Sequence, residues 1–488
     1  VAPTPTATPV PVKPTATPVP PTPPGILNAP QTIDGRWEGT AHVLGTELQV
    51  ALDIVSSDSG LTATIDIPQQ GVDGLALRNV SYNPPEVHFE IDFGQFSAAF
   101  EGEVQGETIS GEFQQSGVAG EFNLERVGVM DESPPTPVPA AYREEEVTFQ
   151  NGDITLAGTL TLPPGVGPHP AVVLITGSGP QNRDEELFGF KIFGVIADHF
   201  SRRGIAVLRY DDRGVGDSTG EVEQATSQDF ALDVVAAVEL LQARHDINGS
   251  QIGLLGHSEG GIVAPLAAVE SDDVLFIILM ASTGVPGHQI LQAQLELISP
   301  TEGLSEAEIA ERSEIQERSF QAVRTGEGFA ELETDLRRQI LKSLENLPEE
   351  ERQAITGVDQ LVEDRVQLSL QALQTPWFKF FLDYDPAATL EQVTVPVLAV
   401  FGELDLQVAA EINRPAIKQA LEIAGNQDVT SVTLPGANHL FQEAESGSPG
   451  EYATLDKEFV PGFLDLMTNW VLDRVDVAGG VAQDNIGH

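Results

Sequence analysis

The chain has no cysteine, which excludes disulfides, thiolate metal sites and a cysteine nucleophile. Basic residues are scarce: 25 Lys and Arg stand against 74 Asp and Glu, for a formal net charge of -49. Such a surface repels a nucleic-acid duplex rather than neutralising it, so no nucleic-acid partner is expected. The same charge favours solubility and fits an acidic secreted protein as well as a salt-adapted one. No apolar run approaches the roughly 18 residues of a membrane helix, so no membrane span is expected. No pair of histidines shows ligand spacing, so no metal is expected. No cofactor is expected either.

What is present is enough for more than one domain, with 488 residues and 41% hydrophobic side chains. Residues 1–30 open on a Pro/Thr/Val/Ala tract in which Lys13 is the sole charged side chain of the first 24 residues. Such a segment cannot bury a core and reads as an extended spacer. It suits an extracytoplasmic protein, secreted or tethered at the cell surface. Residues 31–129 change to short strands of period two, such as Val87–Phe93, with polar turns at regular spacing. About eight strands are expected, forming a small all-β antiparallel barrel or sandwich. Trp37 reads as a core plug, and this domain is a candidate for a lipid or glycan ligand.

A second Pro-rich breaker, residues 130–141, separates this part from residues 142–476, with 477–488 as a tail. In that long stretch strands and helices alternate, which predicts an α/β fold with a mostly parallel sheet. Ala171–Ile175, Ile252–Leu255 and Leu275–Met280 are continuous apolar runs, as strands covered on both faces should be. Phe188–Arg203 and Asp229–Arg244 carry helical spacing. Residues 287–384 are charged and helical in period, with a capping box at Ser305 and Glu308. They read as a lid inserted between strands. The lid closes on an aromatic cluster at Trp377, Phe378, Phe380, Phe381 and Tyr384, which suits either an acyl pocket or packing of the lid.

Gly256-His257-Ser258-Glu259-Gly260 is a G-x-S-x-G pattern between an apolar strand and a small-residue helix. A serine on so tight a turn has its hydroxyl clear of the sheet, with helix N–H groups close by. Gly216-Asp217-Ser218-Thr219-Gly220 repeats the pattern, but a polar loop precedes it and no packed helix follows. Context therefore selects Ser258 as the nucleophile. A serine hydroxyl needs a base, and after such an elbow the order is Ser, then Asp or Glu, then His. Of the later histidines, His288 begins the lid and His488 ends the chain, which leaves His439 in the loop after the last strand. The preceding strand is followed by Glu403 and Asp405. Asp405 fits the usual G-x-x-D turn and would fix the His439 tautomer, leaving Glu403 as a solvated turn residue. For the oxyanion hole the expected donors are the backbone N–H of Glu259 and that of Ser178, in Thr176-Gly177-Ser178-Gly179-Pro180.

Taken together, Gly177-Ser178-Gly179-Pro180 with Arg183-Asp184, Arg209-Tyr210-Asp211-Asp212-Arg213-Gly214, Gly256-His257-Ser258-Glu259-Gly260-Gly261, Trp377-Phe378 with Tyr384-Asp385-Pro386, and Gly402 with Asp405 resemble one family. It is the bacterial α/β-hydrolase esterases that include serine-aminopeptidase-like members, some of which carry a small β domain before the hydrolase. The likeness covers about residues 142–475. It implies an α/β-hydrolase fold and a carboxylesterase acting on small-molecule esters with short acyl chains. Ser258, Asp405 and His439 match the family triad. A serine aminopeptidase or amidase is the alternative, and an inert hydrolase fold that only binds is a third reading.

Overall fold

The computed structural model describes residues 33–127, apart from 44–45, 58–59, 68–71, 94–95 and 116–117. It also describes 142–477, apart from 346–351, 353–354 and 356. The spacer, linker and tail expected at 1–30, 130–141 and 477–488 lie outside the described residues, save at their edges.

The N-terminal part is one antiparallel meander of nine strands: β1 (Gly35–Val43), β2 (Thr46–Ser57), β3 (Gly60–Ile67), β4 (Val72–Ala76), β5 (Arg78–Asn83), β6 (Glu86–Phe93), β7 (Phe96–Gln105), β8 (Thr108–Gln115) and β9 (Val118–Arg126). In the sheet they run β4-β3-β2-β1-β9-β8-β7-β6-β5. The sheet curls barrel-like: Leu77, between β4 and β5, donates its N–H to Ala63 of β3 at 2.8 Å. Leu77 separates β4 from β5, and the strands number nine where about eight are expected. Alternate side chains point inward, as the period of two requires. Trp37, Leu52, Ile65, Phe89 and Leu124 are buried there. The Trp37 indole N–H donates to Ile33 O at 3.0 Å, so its one polar atom is satisfied inside the core.

The second part is an eight-stranded sheet. Its strands are β10 (Arg143–Asn151), β11 (Ile154–Leu162), β12 (His169–Ile175), β15 (Ala206–Tyr210), β16 (Ile247–His257), β17 (Val274–Met280), β18 (Val397–Gly402) and β19 (Val429–Leu434). Their order is β10-β11-β15-β12-β16-β17-β18-β19. The first two pairings are antiparallel and those from β15 onward are parallel. Neighbouring residues on each strand serve opposite cores, which explains the continuous apolar runs. Val173, Leu254, Ile277 and Leu279 join one core, under helices α2 (Ser227–Gln242) and α3 (Gly260–Glu270). Val172, Leu174, Ile278 and Met280 join the other, under α1 (Ile192–Ser201) and α11 (Phe463–Leu472).

Helix α1 starts later than the expected Phe188. The hairpin β13 (Glu186–Leu187) and β14 (Phe190–Lys191) occupies the preceding residues. Its turn is made by Phe188 at φ 55° and Gly189 at φ 75°, the positive-φ pair that tight hairpins favour.

The expected insertion is helical: α4 (Gly287–Ile298), α5 (Glu306–Thr325), α6 (Phe329–Glu345), α7 (Val358–Gln374) and α8 (Pro376–Asp383). The capping box forms at the head of α5, where Ser305 Oγ accepts from Glu308 N–H and donates to the Glu308 carboxylate at 2.7 Å. The short helix α9 (Pro386–Leu390) leads back to β18, and α10 (Ala410–Ile423) joins β18 to β19. No helix among the described residues is long and apolar enough to cross a membrane.

Candidate active site

The Ser258 turn is set by backbone crowding. Ser258 stands at φ 53°, a left-handed conformation that non-glycine residues adopt only where the surroundings fix it. Its N–H donates to Met280 O at 2.9 Å, and its carbonyl accepts from Gly261 N–H at 3.0 Å. The flanking glycines are steric necessities. A Cβ on Gly256 would lie 2.0 Å from Gly260 O, and one on Gly260 would lie 2.3 Å from Ile175 O. Gly256→Ala should therefore destabilise the hydrolase domain by about 3 kcal/mol, the upper end for overpacking. Differential scanning calorimetry would read this as a lowered transition temperature, and an unchanged transition would refute the crowding argument.

The loop after β12 runs close to this serine. A Cβ on Gly177 would lie 3.3 Å from Ser258 Cβ. Ser178 follows, exposed. Ion pairs brace the loop. Arg183 grips the buried Asp211 with its guanidinium at 2.6 Å and its backbone N–H at 2.8 Å, and reaches Glu146 at 2.5 Å. Arg209 grips Asp184. Asp212 accepts from Thr176 Oγ1 at 2.8 Å and from Gln181 N–H at 2.9 Å. Burial pushes the Asp212 carboxyl well above the usual carboxylate range.

His439 and Asp405 come together from the loops after β19 and β18. His439 Nδ1 lies 2.8 Å from Asp405 Oδ2, and both side chains are buried. Asp405 Oδ1 accepts from the N–H groups of Gln407 and Val408, each at 2.8 Å. Asp405 is thus oriented before it meets the imidazole. The two loops are stitched by Leu404 N–H to Ala437 O at 2.8 Å. Glu403, expected as a merely solvated residue, is exposed but holds Gly436 N–H at 3.0 Å. His288 faces the lid, with Nδ1 on Leu382 O at 3.0 Å.

Ser218 of the second G-x-S-x-G is buried and fully used. Its hydroxyl accepts from Ala157 N–H at 2.9 Å and donates to Asp211 O at 2.8 Å.

Glu259 carries more than its backbone. Its buried carboxyl accepts from Ser227 Oγ and from Trp377 Nε1, each at 2.7 Å. Burial raises its pKa, while the Ser227, Trp377 and Ser178 side chains pull the other way. Trp377 stacks on Phe381 at 5.1 Å, and Phe380 on Tyr384 at 4.8 Å. The aromatic cluster therefore packs the lid and fastens it to the serine turn. Sequence reasoning quoted Asp211, Asp212, Glu259 and Trp377 in motifs without giving their side chains these duties. Their partners are distant in sequence, and nothing local announces them.

Among the described residues no group of His, Asp and Glu side chains could hold a metal ion.

The "Alpha/beta hydrolase family" model matches residues 172–455. Esterase EstD of Thermotoga maritima is 29% identical over 339 residues, spanning 69% of this chain and 69% of that protein. The 2,6-dihydropseudooxynicotine hydrolase of Paenarthrobacter nicotinovorans is 30% identical over 142 residues, 28% of this chain and 34% of that protein. Among solved structures, Pyrococcus furiosus esterase Pf2001 covers 70% of this chain and 96% of its own, at 14% identity and a TM-score of 0.41.

Proposed function

The chain belongs to the alpha/beta hydrolase family, and from that premise we propose that this hydrolase is a serine carboxylesterase cleaving small-molecule esters with short acyl chains. Ser258 Oγ attacks the ester carbonyl while His439 takes its proton. Asp405 fixes the His439 tautomer and stabilises the imidazolium. The N–H groups of Ser178 and Glu259 hold the oxyanion. The alcohol leaves with the proton from His439, and water, activated by the same base, releases the acid and restores Ser258.

The observation that carries this reading is the buried His439–Asp405 pair at 2.8 Å, its carboxylate already anchored by two backbone donors. The likeness to an esterase over 69% of the chain supports the ester over other acyl substrates. An aminopeptidase would need a charged carboxylate free to meet an α-ammonium group. Glu259, the carboxyl adjacent to the serine, is instead buried, bonded to Ser227 and Trp377, and shifted toward its neutral form. A lipid or glycan ligand of the β domain would take its outer surface, because Trp37, Phe89 and Phe100 fill the interior. The Pro/Thr-rich segment supports an extracytoplasmic location, secreted or surface-tethered.

A panel of p-nitrophenyl esters of increasing chain length, run beside aminoacyl p-nitroanilides, tests the proposal. The highest kcat/KM is expected for acetate or butyrate, with anilides slower by about 10²-fold or more. Faster turnover of the anilides would install the aminopeptidase reading in its place.

A further inference from the structure

His257 precedes Ser258 in the chain, and the mechanism above leaves its side chain idle. The ring is buried, at 1% exposure, and lies between two loops. Nδ1 meets Glu185 Oε1 at 2.9 Å, and Nε2 meets the main-chain carbonyl of His439 at 3.1 Å. A carbonyl can only accept, so Nε2 carries a hydrogen. Glu185 Oε1 also accepts the Gly177 N–H at 2.7 Å. Glu185 is itself buried, at 1% exposure, and stands at φ 45°. A non-glycine residue keeps that conformation only where its contacts over-determine it.

We propose that Glu185 and His257 are positioning residues: a hydrogen-bonded bridge that fixes the oxyanion loop and the His439 loop on either side of Ser258. The proposal rests on the esterase reading above. One end of the bridge holds Gly177, the neighbour of Ser178, whose notional Cβ lies 3.3 Å from Ser258 Cβ. The other end holds His439 through its carbonyl, with the two imidazole rings 4.9 Å apart. Oxyanion donor and base are thus spaced by a single side-chain pair. A displacement of about 1 Å at such a place costs about 10²-fold in rate.

The bridge needs a proton. Both ring nitrogens face acceptors, so His257 works as an imidazolium donating to each, with Glu185 as its counter-charge. Burial opposes the charge, but the Glu185 carboxylate and its hydrogen bond outweigh it and hold His257 above the usual histidine range. The other groups facing it are Asp405, whose charge also raises it, and His439, whose ring centre lies 4.9 Å away. Since the pKa is raised, the bridge is complete below it and is lost as pH rises through it. It should therefore give kcat an alkaline limb. Glu185→Gln keeps the shape and an acceptor for Gly177 but removes the counter-charge, so the proton leaves at lower pH.

The test is hydrolysis of p-nitrophenyl acetate by the full chain and by Glu185→Gln across neutral and alkaline pH. The alkaline limb of kcat in Glu185→Gln should move down by about one pH unit or more. On the alkaline side kcat should fall by about 10- to 10²-fold, with KM nearly unchanged. A kcat–pH profile matching the parent overturns the bridge. Nitrogen-15 histidine NMR of the unmodified chain, with His257→Gln to assign the signal, provides a second measurement. One buried ring protonated at both nitrogens at neutral pH, and lost in His257→Gln, is expected; its absence overturns the proposal. Ser258→Ala run alongside separates the two readings. If it stays active, the esterase assignment falls; if it is dead while Glu185→Gln keeps the parent profile, only the bridge falls.

Discussion

Ser258→Ala is expected to lower kcat for p-nitrophenyl acetate by about 10⁶-fold while leaving the protein folded. The substitution deletes one hydroxyl and keeps the Cβ. The turn itself is held by main-chain bonds from Ser258 N–H to Met280 O and from Gly261 N–H to Ser258 O, so the strained φ persists. What remains should be the modest acceleration that oxyanion donors and binding give without a nucleophile. Ser218→Ala is the matched control, because its hydroxyl is spent on Ala157 and Asp211; it should cost stability and leave kcat near the parent value. Retention of more than about 1% of kcat in Ser258→Ala, far above a residual of that size, would sink the assignment of the nucleophile.

Asp405→Asn is expected to cost about 10⁴-fold in kcat, with little change in melting temperature. The argument rests on which way the amide must point. Gln407 and Val408 N–H groups claim one side-chain oxygen of Asp405. An asparagine would put its only oxygen there and turn its NH₂ toward His439 Nδ1. Two donors would then face each other unless the imidazole proton moves to the other nitrogen, the one needed as base. Catalysis fails through the tautomer, with the geometry nearly intact. Steady-state rates and thermal melts on the same sample check both halves, and a loss below about tenfold would show that Asp405 does not orient the base.

Much of this was legible in the chain because the signals were local. Continuous apolar runs mark strands sandwiched between two cores, and the observed β12, β16, β17 and β18 contain them. The serine turn needs glycines at fixed offsets, since backbone fills the space where a Cβ would stand. The ordering of Ser258, Asp405 and His439 follows strand order in the fold, so each candidate had few competitors. The rest was not local. Glu185 lies 72 residues before His257, and His439 lies 182 after it. Only the folded sheet brings them together. The hairpin ahead of α1 hid inside a helical pattern because a two-residue turn with positive φ leaves little trace in apolar spacing. Trp377 suited a pocket or a packing role equally well, because spacing cannot tell where one indole N–H will find its acceptor.

The cores described above share no residues between the two parts of the chain. Trp37, Leu52, Phe89 and their neighbours form a cluster drawn, among the described residues, only from positions 33–124. The two clusters flanking the larger sheet draw, among the described residues, only on positions from 147 onward. Units with separate cores need not melt as one, and a single midpoint then describes neither. This chain accordingly carries its own internal reference. A substitution at the serine turn should move one unfolding transition against another that stays fixed, so catalytic loss and loss of fold can be told apart within one thermogram.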